Sequence, residues 1–149
     1  MVDIVTEIQI NKPISIVSAY AANPDNALDW YENIKSVEWR TPKPLSVGTR
    51  VAFVAHFLGR KLEYVYKVTV YLPNSTLVMQ TSQGPFPMHT MYSWKQISPS
   101  ATLMTLRNTG SPSGFSKLFA PFMQMAMRKA NQKDLNRLKK NLEMTGQTI

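Results

Sequence analysis

From residue 61 to residue 72 the chain alternates more clearly than anywhere else. Leu62, Tyr64, Tyr66, Val68, Val70 and Leu72 fall on one side, while Lys61, Glu63, Lys67 and Thr69 dominate the other. Successive side chains of an extended strand point to opposite faces, so this pattern demands a strand with one face against a core. A half-buried strand needs partners, and the rest of the chain supplies them. Residues 2–10 alternate, with Ile4, Thr6, Ile8 and Ile10 on one side. Residues 49–58 place Val51, Phe53, Ala55 and Phe57 together, and Gly59-Arg60 predicts a tight hairpin turn into the next strand. Residues 35–40, 76–82, 86–97 and 101–109 read as further strands, separated by Pro- and Gly-containing breaks such as Pro73-Asn74-Ser75, Gly84-Pro85 and Ser98-Pro99-Ser100. Short strands at hairpin spacing imply a mainly antiparallel sheet.

Helical signals lie at the two ends of this run. Pro13 predicts the first turn of a short helix over 13–21, and Asn23-Pro24-Asp25 starts a second that reaches about Tyr31. After Gly114 the period changes. Phe115, Leu118, Phe119 and Phe122 form one apolar cluster, and Met123, Met127, Leu135, Leu138 and Leu142 form a second stripe rotated from it. Pro121 sits at the change of phase, so a short helix, a bend and then a long helix to about Glu143 are expected. Net charge is +8, and residues 117–149 hold seven basic and two acidic residues. Lys129, Lys133, Arg137 and Lys140 fall away from the Met/Leu stripe, which makes them the solvated face of an amphipathic helix. Contact with an anionic membrane through these four is a weak alternative. Few aromatics accompany them, so specific nucleic-acid binding is not expected.

The 149 residues fit one domain, 1–149. There is no cysteine, which excludes disulfides and thiolate chemistry. Met1-Val2-Asp3-Ile4 shows no secretion signal and no apolar run is long enough to span a membrane, so a cytoplasmic location is expected. Asn74-Ser75-Thr76 then reads as a turn rather than a glycosylation acceptor.

Strand, two short helices, six strands and a long C-terminal helix: in this order the chain resembles the START-like (SRPBCC) superfamily, which includes polyketide cyclases, lipid-transfer domains and pollen allergens. The resemblance covers nearly the whole chain. It is carried by Pro13 with Asn23-Pro24-Asp25 and Trp30, by Leu45-Ser46-Val47-Gly48-Thr49, and by Val68-Thr69-Val70-Tyr71-Leu72-Pro73. Gly84-Pro85, Tyr92-Ser93-Trp94 and the segment 135–143 add to it. These marks are architectural. They imply an α+β helix-grip fold: a curved antiparallel sheet of six or seven strands wrapped round the C-terminal helix, two short helices after the first strand, and an apolar pocket between sheet and helix.

Residues that could carry chemistry are few. His56 and His89 fall out of phase with their inward-facing neighbours, and two histidines without cysteine fall short of the ligand count a metal site needs. The nine acids show no spacing that pairs an acid with a base, no serine sits in a nucleophile elbow, and no glycine loop suits a phosphate. No catalytic residue and no cofactor is assigned. What stands out is the inward apolar set, Phe53, Tyr64, Tyr66, Met79, Met88, Tyr92 and Trp94, faced by Met123 and Met127 from the helix. Methionine adapts to varied ligands, and each buried Tyr or Trp has a polar tip that needs a partner. A filled core is the competing reading of the same residues. The expected function is binding or carriage of a small apolar or aromatic ligand: a lipid, isoprenoid or polyketide-like compound. The alternatives are a cyclase/dehydrase-like enzyme using the same pocket and a basic-helix module for anionic surfaces. Monomer and homodimer both stay open.

Overall fold

The structure is a computed structural model that describes residues 2–84, 86–110 and 120–145. Its elements, in chain order, are β1 (Val2–Ile10), α1 (Ile14–Ala22), a 3-10 turn (Pro24–Asn26), α2 (Ala27–Trp30), β2 (Ile34–Trp39), β3 (Arg50–Phe57), β4 (Arg60–Leu72), β5 (Thr76–Gln83), β6 (Met88–Ser98), β7 (Ala101–Gly110) and α3 (Ala120–Thr145). The seven strands form one antiparallel sheet in the order β1-β7-β6-β5-β4-β3-β2. The first strand therefore pairs with the last, and everything between runs as a meander. The curved sheet forms a half-barrel, and α3 lies across it in the helix-grip arrangement.

Alternation is obeyed on β1, where Ile4 and Ile10 are fully buried and Asp3, Val5 and Glu7 are exposed. It is obeyed on β6, where Met88, Thr90, Tyr92 and Trp94 point inward. On β4 it breaks. Val68 pairs with Met79 but Val70 pairs with Val78, so Thr69 is an extra residue on β4. A bulge of this kind leaves two residues opposite one and bends the strand. Beyond it the phase inverts: Tyr71 packs against the core, whereas Val70 and Leu72, expected inside, are 38% and 58% exposed. A second shift puts an extra residue, Ser82, on β5 opposite Val65–Tyr66. The two extra residues are held by their own hydroxyls, Thr69 Oγ1 donating to Val78 O (3.4 Å) and Ser82 Oγ to Val65 O (3.3 Å).

The β3–β4 hairpin turns one residue earlier than expected. Phe57 pairs with Arg60, leaving Leu58 and Gly59 at the tip with φ of 50° and 76°. Positive φ at both tip residues is the type I′ turn, which matches the strand twist and favours glycine at its second position, here Gly59. Pro73-Asn74-Ser75 does turn, and Asn74 Oδ1 accepts from Ser18 Oγ at 2.7 Å, tying that turn to α1.

Pro121 is the second residue of α3, where its missing N–H breaks no helical bond. The short helix and bend expected before it, with Phe115, Leu118 and Phe119, lie outside the described residues, and Phe122 is exposed. Leu135 and Leu138 are fully buried and Leu142 nearly so, against Val17 of α1 and Val68, Leu77, Trp94, Met104 and Leu106 of the sheet. Each such side chain is worth about 1.5–3 kcal/mol of transfer free energy. The far end of α3 is pinned to the end of β1. Lys139 Nζ donates to Gln9 O (2.8 Å), and Glu143 Oε2 accepts from the backbone N–H of Asn11 (3.1 Å). Lys129, Lys133, Arg137 and Lys140 are all exposed. Among the described residues no helix is long and apolar enough to cross a membrane.

Candidate functional site

The first half of α3 does not seal against the sheet as the second half does. Between them lies a cavity of about 180 Å³, partly open to solvent. Its walls are mostly aromatic and thioether. Phe53 of β3, Tyr64 and Tyr66 of β4, Met79 of β5 and Met88 and Tyr92 of β6 line the sheet side; Met123 and Met127 line the helix side. The rings lock one another edge-on or tilted: Phe53 against Tyr66, Tyr66 against Tyr64, and Tyr64 against Phe86, each at 5.8 Å between centroids. Gly84 is required here, because a β-carbon on it would lie 2.5 Å from the Tyr64 ring. Trp94, expected in this set, does not line the cavity. It is two residues beyond Tyr92 on β6, paired with Met104, and has already entered the part of the interior filled by the α3 leucines.

Polar side chains also line the cavity, and sequence reasoning missed most of them. Asn131 and Asp134 come from α3, one turn apart, and are 7% and 3% exposed. Trp30 and Tyr31 come from the end of α2. The helix clamps that corner at two points: Asn141 Nδ2 donates to Asp29 O (2.9 Å), and the Glu32 backbone N–H donates to Asp134 Oδ1 (3.1 Å). Trp30 and Tyr31 are held between the clamps. The hydroxyls of Tyr31 and Tyr92 meet at 2.5 Å, and Thr90 Oγ1 donates to Asn108 Oδ1 at 2.8 Å. The signal for this corner was a gap. The stripe Met123, Met127, Leu135 skips the position where the helical period calls for an apolar residue, and that position holds Asn131.

Burial sets the protonation of these groups. Desolvation raises the Asp134 carboxyl to about 7, assisted by the Glu32 charge and opposed by the Glu32 N–H and by Arg137 and Lys133. Desolvation also pushes Tyr66 up to about 12 against a hydrogen bond with Thr90, and lifts Tyr31, Tyr64 and Tyr92. All four phenols are therefore neutral near pH 7, and of the two protons on the Tyr31–Tyr92 pair only one is used between them. The corner offers a carboxyl poised to give or take a proton beside hydroxyl donors, on the wall of a mostly apolar cavity. His56 and His89 are exposed on the other face. Among the described residues no group of three or more His, Asp and Glu side chains gathers as metal ligands would.

The family profile described as polyketide cyclase / dehydrase and lipid transport matches residues 1–143. Among solved structures, a protein from Thermus thermophilus superimposes with a TM-score of 0.83 at 16% identity, covering 96% of this chain and 98% of that one. A START superfamily protein from Mycobacterium smegmatis gives 0.80 at 11% identity, with 96% and 98% covered. An aromatase/cyclase from a Streptomyces species gives 0.79 at 11% identity, with 95% and 93% covered. At such identities the likeness is one of fold. No match is found among curated proteins.

Proposed function

Since the chain belongs to the polyketide cyclase / dehydrase and lipid transport family, we propose that it binds or carries a small apolar or aromatic ligand bearing one or two polar groups: a lipid, isoprenoid or polyketide-like compound. The observation that carries this reading is the cavity itself, lined by aromatic and methionine side chains with a few polar ones among them. Pockets of that composition take up ligands by desolvation and orient them by a few polar contacts. Phe53, Tyr64, Tyr66, Met79, Met88, Tyr92, Met123 and Met127 supply the apolar contact in this proposal. The test is a thermal-shift and calorimetric screen of fatty acids, isoprenoids, flavonoids and sterols, with Tyr66→Trp and Met127→Trp as space-filling controls. Binding by the wild type that both variants lose supports the reading. Absence of any binder, or binding that survives both variants, defeats it.

A second reading, a cyclase- or dehydrase-like enzyme, is favoured by one observation, the buried Asp134 carboxyl beside the Tyr31–Tyr92 pair. A general acid–base group works best with its pKa near the operating pH. Mass spectrometry of a bound poly-carbonyl compound distinguishes the two: turnover that Asp134→Asn removes while binding persists is catalysis, and an unchanged ligand is carriage.

A further inference from the structure

Asp134 brings an ionisable carboxyl to a place where the fold needs only an oxygen. Its Oδ1 receives the Glu32 backbone N–H at 3.1 Å, a contact that an uncharged amide oxygen would make as well. Its Oδ2 receives no hydrogen bond from a described residue, and it is not one of the sealed polar atoms without a partner, which are Trp30 Nε1, Trp94 Nε1 and Asn131 Nδ2. The side chain is almost fully buried and borders the cavity. Among the described residues Asp134 forms no ion pair; the acids that do are Asp3, Asp25, Glu38, Glu63 and Glu143. The charged groups that act on it are Glu32, beside Tyr31, and Arg137 and Lys133 of its own helix, all three exposed to solvent. Its other neighbours on the cavity wall are rings. Desolvation first, and then among smaller causes the Asp134 charge, lifts the phenols of Tyr31 and Tyr92, whose hydroxyls meet at 2.5 Å. Tyr66, Tyr64 and Phe53 continue the same wall. A carboxylate buried without a counter-charge is costly, so its presence among aromatic rings requires an explanation.

We propose that the cavity takes up a small aromatic amine, its ammonium paired with the Asp134 carboxylate and its ring held among the tyrosines. The inference rests on the ligand-binding reading above and narrows the ligand's polar group to a cation. A carboxylate supplies the counter-charge and a charge-assisted hydrogen bond, and electron-rich ring faces attract a cation as well. A neutral polar group offers the ionised carboxyl no counter-charge. Size agrees with a single ring on a short arm: a cavity of about 150 Å³ holds benzene, and this one measures about 180 Å³. Protonation is then linked to uptake. Burial keeps the carboxyl protonated below about pH 7, and an ammonium pairs only with the ionised form. Uptake of the amine below that pH therefore releases a proton, so affinity rises as pH climbs to about 7 and levels off above it.

The test compares 2-phenylethylamine with 2-phenylethanol, molecules of one size and shape that differ in charge, by titration calorimetry on the full chain. Partition out of water favours the neutral alcohol, so a preference for the amine cannot come from apolar burial. An alkylammonium, like that of lysine, stays charged from about pH 5.5 to about pH 8. At about pH 8 the wild type should bind the amine at least about tenfold more tightly, the lower end of what a hydrogen bond to a charged group contributes. Lowering the pH to about 5.5 should weaken the amine at least about tenfold and leave the alcohol unchanged. Asp134→Asn should abolish both the preference and its pH dependence while the alcohol binds as before; a purely structural role for Asp134 would weaken the two probes together. The wild-type pH series stands as a test even if that variant fails to fold. If the alcohol binds the wild type as well as the amine does, if amine affinity is flat with pH, or if the preference survives Asp134→Asn, the amine assignment is overturned and the cavity reading stands. If neither probe binds, the assignment is overturned as well; a binder in the broader ligand screen then keeps the cavity reading, and an empty screen defeats both.

Discussion

The two halves of α3 lie on one sheet and reach opposite outcomes. Its C-terminal half presents Leu135, Leu138 and Leu142, and the space beneath them is filled by Val17, Val68, Leu77, Trp94, Met104 and Leu106. Up to its middle the helix presents Met123, Met127, Asn131 and Asp134, and although Met123 also packs on Val2 and Ile4 of β1, these four border the cavity. Branched aliphatic residues with few rotamers specify a solid interior, while unbranched methionines and short polar residues leave room and adapt to an occupant. Fold and function divide along one helix: one half fixes the architecture and the other faces the cavity.

The sharpest way to break this contrast is a truncation on the solid side. Leu138→Ala should cost about 2–5 kcal/mol in urea denaturation, as expected for a fully buried leucine whose neighbours cannot collapse into the space. A cost as small as that of a surface change would show that the solid half is not solid. On the open side the largest effect should come from occupancy. A ligand at a hundredfold excess over its Kd should raise stability by about 2.7 kcal/mol through mass action, measured as a melting-temperature shift, and Met127→Trp should erase that shift while remaining folded. Trp30, which lines the cavity, should report binding by fluorescence more strongly than Trp94, which does not.

A smaller effect should come from pH. Burial raises the Asp134 carboxyl to about 7, so between about pH 4 and 7 the folded state holds a proton that the unfolded chain has released. Its contribution is greatest below about pH 4, falls as pH rises to about 7, and is flat above. Asp134→Asn keeps an oxygen for the Glu32 N–H and should flatten the profile, leaving the variant more stable than wild type at about pH 8 by on the order of 2 kcal/mol. A wild-type profile without that decline would show that the open half is wetter than its geometry implies. At the bottom of the scale, Lys133→Ala on the exposed face should stay within about 0.5 kcal/mol of wild type by urea denaturation.

How legible each half was follows from the same contrast. The leucines at 135, 138 and 142 repeat at helical spacing, and the strands alternate, so helix and sheet could be read directly, while their mutual arrangement came from the resemblance to the START-like superfamily. The apolar lining could be read too, because inward phase on β4 and β6 does not depend on whether the space in front is filled. Asn131 left only a gap in the apolar stripe, and Asp134 could not be read, because a polar residue in a charged helix looks like its wet face until the helix is docked. Tyr31 was hidden by its place at the end of a four-residue helix, where no periodicity assigns a direction. Val70 and Leu72 were assigned to the wrong face because a bulge adds a residue without altering the alternation on paper.

That bulge separates shape from composition. Without Thr69 the remainder of β4 would run Val68, Val70, Tyr71, Leu72 as a regular strand, with the same residues inward and outward as now. A one-codon deletion at 69 should therefore reduce curvature without changing which side chains face inward. Thr69 matters to this protein less for its chemistry than for its presence in the count, and losing it should flatten the recess while the chain retains the full inventory of groups that surround it.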